Sequence, residues 1–171
     1  MLKETLVKAL SEQVNAEYYS AYLYLTMSAY ADQEGFKGMA NWLFVQAQEE
    51  MAHGTHIYQH ILERGAAPAF TDIKVSDSKF NNIQEVFEKV LSHEQHVTEL
   101  INNIASIAMK ENDHATYNFI MWYVNEQIEE ESTASDIVTK LKFFKNDVNL
   151  LYNLDVEMAA RIFNDPFAAA K

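Results

Sequence analysis

Apolar residues recur along this chain at alternating steps of three and four, in four long segments, the signature of amphipathic helices. The first, about residues 4–33, carries Val7, Leu10, Val14, Ala21 and Tyr24 on one face. The second, about 38–64, carries Leu43, Ala47, Ile57 and Ile61. The third, about 82–110, is the most regular, with Ile83, Phe87, Val90, Val97, Ile101, Ile104 and Ala108. The fourth, about 114–143, carries Ile120, Tyr123, Ala134, Ile137 and Leu141. Breakers and caps fall at the segment ends. Gly35 and Gly38 bracket a short turn, and Gly65 stands where a helix-terminating glycine would. Asp113 can cap the fourth helix. Between the second and third segments lies GAAPAFTDIKVSDSKF, which has Pro68 and no helical stripe and is long enough to run the length of a bundle. Two short connections and one long one give an antiparallel pair, a crossover and a second antiparallel pair. Asp147 can cap a shorter fifth helix, about 147–163, which Asp165-Pro166 then ends. The expectation is a single all-α domain over 1–171, a four-helix bundle with one long crossover and a short C-terminal fifth helix.

Each long stripe is interrupted near its midpoint by an acid or an amide: Glu17, Glu50, Glu94, and Gln127 with Glu130. Antiparallel helices of similar length bring their midpoints to one height, so these groups should meet inside the bundle. His53 lies three residues after Glu50 and points the same way on a helix. No lysine or arginine interrupts the central part of any stripe. Four buried carboxylates without cations would repel, and each carries a desolvation cost of roughly several kcal/mol. Purely structural glutamates, paired or kept protonated, are the bland alternative. Two divalent ions would neutralise the set, and glutamate oxygens with one imidazole suit iron, manganese or zinc.

Composition narrows the field. Cysteine is absent, which excludes disulfides, thiolate metal sites and cysteine nucleophiles. With 25 acidic against 13 basic residues the formal net charge is -12, which argues against a nucleic-acid partner. The opening MLKETLVKAL lacks the apolar block of a secretory signal, and no apolar run approaches a membrane span. No membrane partner is expected, and the cytoplasm is the expected location.

The carboxylate-bridged di-iron pattern takes one Glu from each of two helices and Glu-x-x-His from each of two others. Here Glu17, Glu94 and Glu50-x-x-His53 fit, but the fourth helix offers Gln127-x-x-Glu130. One metal would keep a histidine and the other would have only carboxylates. An amide is a poor iron ligand, so Gln127 is expected to hydrogen-bond to water, bound oxygen or a neighbouring carboxylate. An asymmetric site of this kind holds its second ion more loosely, which suits passing iron onward.

The motifs NAEYYS around Glu17, QEEMAH around Glu50 and His53, HEQH around Glu94 and HATYNFIMWYVNEQIEEE around Gln127 and Glu130 resemble the non-haem bacterial ferritins, a ferritin-like di-iron family. The resemblance runs nearly the whole length, from MLKETLVKALSEQVNAEYYS to the fifth helix. It implies an iron-storage ferroxidase that oxidises Fe(II) with O2 or H2O2 and keeps the ferric mineral in a hollow homo-oligomeric shell of 24 subunits. It also implies that Glu17, Glu50 and His53 hold one iron, that Glu50, Glu94 and Glu130 hold the second, and that Glu50 bridges them. Tyr24 matches the family's tyrosine beside the iron pair, where it is either an electron donor or a core aromatic. Glu49, Glu126 and Glu129 match the family's third iron site, and the alternative for them is a solvated acidic face.

The remaining histidines carry less. His56 and His60, four apart, read as a solvated pair rather than a chelate. His93 and His96 flank Glu94 off the stripe. Met51 precedes His53 by two, as the haem-ligating methionine of bacterioferritins does, but the second Glu-x-x-His is missing and no haem is expected. Two other functions compete with storage: a di-iron oxidase or peroxidase acting on another substrate, and a metal-free interaction bundle.

Overall fold

Helix α1 spans Glu4–Gln33, α2 Lys37–Glu63, α3 Ile83–Lys110, α4 His114–Phe144 and α5 Val148–Met158 in a computed structural model that describes residues 2–74, 79–145 and 147–168. No strand occurs among the described residues. The ends form for local reasons. Gly35 and Gly65 take positive φ, +90° and +76°, after α1 and α2, a conformation that costs glycine little. Asn82 caps α3 by accepting from the Glu85 amide at 2.9 Å. The Asp113 carboxylate caps α4 by accepting from the Thr116 amide at 3.0 Å. It also receives two guanidinium hydrogen bonds from Arg64, at 2.9 and 2.8 Å, which tie the end of α2 to the start of α4.

Side-chain contacts fix the directions. Tyr24 reaches Glu94 while Lys3 reaches Glu111, so α1 and α3 run antiparallel. Gln46 meets Glu130, His56 meets Tyr123 and Arg64 meets Asp113, so α2 and α4 run antiparallel as well. α1 packs on α2 and α3 on α4 through short turns. The crossover starts along α1: Ala69 donates its amide to Ser11 Oγ at 3.1 Å, and Thr71 donates to Asn15 Oδ1 at 2.9 Å. Further along, Phe80 stacks obliquely on Tyr30 with ring centroids 5.2 Å apart. The part of the crossover at 75–78 lies outside the described residues.

The core is divided in two. One apolar cluster gathers Met27, Met39, Leu43, Phe87, Ile137 and Leu141 with Leu154 and Met158 of α5. The other gathers Leu6, Leu10, Val14, Ile57, Ile61, Ile101 and Ile104. Between them sit buried Glu17, Glu50, His53, Glu94, Gln127 and Glu130. The mid-stripe interruptions therefore form a polar layer across the bundle.

Three expectations change. The fifth helix ends at Met158 rather than about Phe163, because Asn41 Nδ2 captures the carbonyls of Ala159 at 3.3 Å and Arg161 at 2.9 Å. Those contacts turn the chain back along α2. Gly38 is not a turn residue but lies in the first turn of α2, where a Cβ would fall 1.6 Å from the Asp155 carbonyl oxygen. The glycine lets the backbone of α5 rest on α2. His56 and His60 are not a solvated pair. His60 stacks on Phe119 at 3.9 Å and His56 on Phe167 at 3.7 Å. Burial lowers the pKa of both, that of His60 to about 4.

Candidate metal centre

The centre depends on two adjoining helices coming close. A Cβ on Gly54 would lie 2.7 Å from the Tyr18 ring and 3.2 Å from Glu17 Cβ, so this glycine lets α2 approach α1 at the level of Glu17. Glu17, Glu50 and His53 are all buried, and each offers a ligand atom within 4.8 Å of the other two. Among the described residues this is the one group of at least three His, Asp or Glu with such spacing. His53 Nδ1 lies 3.3 Å from Glu50 Oε2. The His53 backbone carbonyl accepts from the Tyr123 hydroxyl at 3.0 Å, and the imidazole packs edge-on against Trp122.

Glu94 and Glu130 complete the layer from the other helix pair. Glu94 accepts from the Tyr24 hydroxyl, and from Gln127 Nε2 at 3.1 Å. Gln127 thus does what its chemistry suggests: it donates to a neighbouring carboxylate, and also to the Glu94 backbone carbonyl at 3.2 Å. Glu130 Oε2 accepts from Gln46 Nε2 at 2.6 Å.

Burial and like charge make this layer costly to ionise. Burial, and then the charge of Glu50, push the Glu17 carboxyl well above its usual range. Glu50 is raised by burial and by the charges of Glu94 and Glu130. Glu94 is raised by burial, which the Tyr24 and Gln127 hydrogen bonds partly offset. Burial and Glu94 push Glu130 up to about 8. Glu17 Oε2 is buried with no hydrogen-bond partner, although Gln13 Nε2 serves its other oxygen at 2.9 Å. An orphaned carboxylate oxygen facing two potential ligands fits a divalent cation of the iron, manganese or zinc type.

These shifts have a consequence for the metal-free protein. Unfolded, the glutamates ionise near about pH 4.3, whereas the folded protein holds the Glu130 proton up to about 8. The folded state therefore binds more protons across this interval, and stability falls as pH rises through it. His60 and His93 act the other way: burial lowers both to about 4, so they add stability as pH rises. That gain is complete above their unfolded value of about 6.5. The melting temperature of metal-free protein is expected to fall between about pH 6.5 and pH 8, and saturating Zn(II) should remove the fall. A flat metal-free profile over this range would contradict the raised carboxyl.

The second acidic set is less closed. Glu49 and Glu126 are half-buried and Glu129 is exposed. Burial raises the Glu49 carboxyl, with Arg161 opposing and Glu126 and Glu129 adding to the rise. Arg161 donates to Glu49 Oε2. No basic residue interrupts the stripes, yet a cation reaches the edge of the site from the segment after α5. Glu131 points away and accepts from Thr98 at 2.5 Å. His93 bonds to Ser20 Oγ at 2.7 Å and packs between Tyr19 and Tyr24, outside the carboxylate layer.

Gln13, Gln46 and Arg161 join the site without standing out in the apolar pattern. Gln13 and Gln46 each sit four residues before a layer glutamate, Glu17 and Glu50, and that spacing is the only signal they leave. Arg161 leaves none, since its place depends on how the chain folds back.

Comparison with known proteins identifies the family. The family model described as a ferritin-like domain matches residues 7–144. A bacterial non-heme ferritin of Staphylococcus epidermidis is 41% identical over 165 residues, covering 96% of this chain and 99% of that protein. One from Staphylococcus aureus (strain USA300) is 39% identical over the same length and coverage. Among solved structures, a humanized archaeal ferritin superposes with a TM-score of 0.94 at 46% identity, covering 96% of this chain and 99% of that one. An open-pore ferritin from Archaeoglobus fulgidus gives 0.93 at 43% identity, covering 95% and 100%. With most of its length matched and a five-helix fold in common with these structures, the chain belongs to the ferritin family.

Proposed function

We propose that this chain is the subunit of an iron-storage protein that oxidises Fe(II) at the buried carboxylate layer and keeps the Fe(III) product in a shell of its own copies. One observation carries the reading. The orphaned Glu17 Oε2 lies beside Glu50 and His53 in a layer whose other members, among the described residues, are acids, amides and a tyrosine. The ferritin names of the relatives described above support the same reading.

Fe(II) is the substrate. Glu17, Glu50 and His53 take one ion and Glu50, Glu94 and Glu130 the second, with Glu50 shared. Raised pKa values mean that entering iron displaces protons, so uptake is linked to pH. O2 or H2O2 accepts the electrons. Tyr24, hydrogen-bonded to Glu94, is placed to supply an electron or to orient that carboxylate. Gln127 fixes Glu94 from the other side. Glu49, Glu126 and Glu129 form a third, weaker iron position, and an ion there has to displace Arg161 from Glu49.

The exposed face of α5, with Val148, Tyr152 and Val156, forms subunit contacts in the shell, for which 24 copies are proposed. The cytoplasm is the proposed location. No described helix is long and apolar enough to cross a membrane. Size-exclusion after aerobic loading with Fe(II), followed by iron staining, tests the storage function. Iron should co-elute with a large assembly. Oxidation without retained iron would favour an oxidase acting on another substrate, and neither would leave a metal-free bundle.

A further inference from the structure

Beyond α5 the chain stays on the bundle. Asn41 holds the carbonyls of Ala159 and Arg161, which directs the Arg161 side chain across the Trp42 ring, 4.5 Å from its centroid. One guanidinium nitrogen donates to Gln46 Oε1 at 2.5 Å and the other to Glu49 Oε2. Gln46 is fully buried, and its amide nitrogen donates to Glu130 Oε2 at 2.6 Å. A guanidinium carries donors and no acceptor. Gln46 must therefore turn its oxygen toward Arg161 and its nitrogen toward Glu130. The amide orientation is set from outside the bundle, Glu130 Oε2 is committed to it, and Oε1 is left as the oxygen available to an ion.

We propose that Arg161 is a positioning residue for the second iron of the pair, acting on Glu130 through Gln46, so that the segment after α5 sets the affinity of that position and leaves the first unaffected. The inference rests on the iron pair proposed above. Glu17, Glu50 and His53, which take the first ion, receive no hydrogen bond from Arg161 or Gln46 among the described contacts. Without Arg161 the buried Gln46 oxygen loses its donor, the amide is held only by its bond to Glu130, and that carboxylate loses a fixed partner.

The test is anaerobic titration of the assembled metal-free protein with Co(II), read by calorimetry and visible absorption rather than by activity. Partners that orient metal ligands are typically worth about 10–100-fold in metal affinity. Arg161→Leu, which keeps an apolar cover on Trp42, should weaken the second Co(II) by about tenfold or more and leave the first within about twofold of the parent. Arg161→Lys, which restores a charged donor, should recover much of the loss. Gln46→Leu should give the same selective loss, and the double variant should be no worse than either single one. Unchanged affinity for the second ion in Arg161→Leu would overturn the proposal, and so would equal weakening of both ions, which marks a merely structural role. A parent that takes up no Co(II) would overturn the iron pair itself, and this inference with it.

Discussion

Glu17→Gln is expected to abolish the fast phase of Fe(II) oxidation and also to raise the melting temperature of the metal-free protein. The two effects have one cause. Glu17 carries an oxygen with no partner in a buried layer where Glu50 adds to the cost of its charge. The amide has the same shape, keeps an acceptor for Gln13, and removes a carboxylate from the repelling set. Exchanging buried charged groups for uncharged ones of similar volume is neutral or stabilising by roughly 1–4 kcal/mol. An amide is, however, a poor ligand for iron, so the ion position proposed at Glu17, Glu50 and His53 should be lost. The initial rate should drop at least about a hundredfold, since even outer partners of a metal site are worth 10–100-fold. His53→Ala should show the same kinetic loss with the assembly retained. A Glu17→Gln protein that oxidises iron at the parent rate would remove this carboxylate from the site. One that melts lower than the parent would show that it serves the fold.

Ending the chain after Lys145 is expected to lower the melting temperature by roughly 10 °C or more and to yield smaller assemblies. Leu154 and Met158 are the buried anchors of α5, packed into the cluster that contains Leu43, Ile137 and Leu141. Burying two such side chains contributes roughly 3–6 kcal/mol, and a chain of this size loses about 2–4 °C per kcal/mol. Truncation also uncovers Trp42 and frees Gln46 and Glu49 from Arg161. The exposed apolar face of α5, more than a lone surface helix needs, supplies the expected effect on assembly. Gly38→Ala is a milder version. Its methyl group would collide with the Asp155 carbonyl and lift α5 without deleting it, so its melting temperature should fall between truncated and full-length protein. Full size and an unchanged melting temperature in the truncated chain would refute the role given to α5.

The sequence made the four long helices legible because their stripes are long and because Gly35, Gly65 and Asp113 mark three of their ends with a residue of physical role. Asp113 and Gly65 both act locally, within one turn of where they stand. The polar layer was legible for the same reason: an acid at a core position breaks the pattern visibly. Gly38 and Gly54 were not, because their function is to admit a neighbouring backbone or ring, which depends on the packing of a second helix. The end of α5 was placed late, since Asn41, more than a hundred residues away, takes the carbonyls that would have continued the helix. His56 and His60 read as solvated because nothing nearby in sequence announces Phe167 and Phe119 as their covers. The cation at the edge of the site was missed on similar grounds. Its apolar and polar neighbours in sequence give Arg161 no pattern, and only the fold brings it to Gln46 and Glu49.

The central claim is that the buried layer is a two-iron oxidation centre, and the number of ions oxidised quickly tests it most directly. Metal-free protein is mixed rapidly with increasing Fe(II) in aerobic buffer, and the amplitude of the fast phase is followed against the ratio of iron to subunit. The account predicts an amplitude that rises linearly and breaks at about two Fe(II) per subunit, with the fast phase suppressed when Zn(II) is bound first. Oxidation no faster than in buffer, or an amplitude with no break near that ratio, would contradict it.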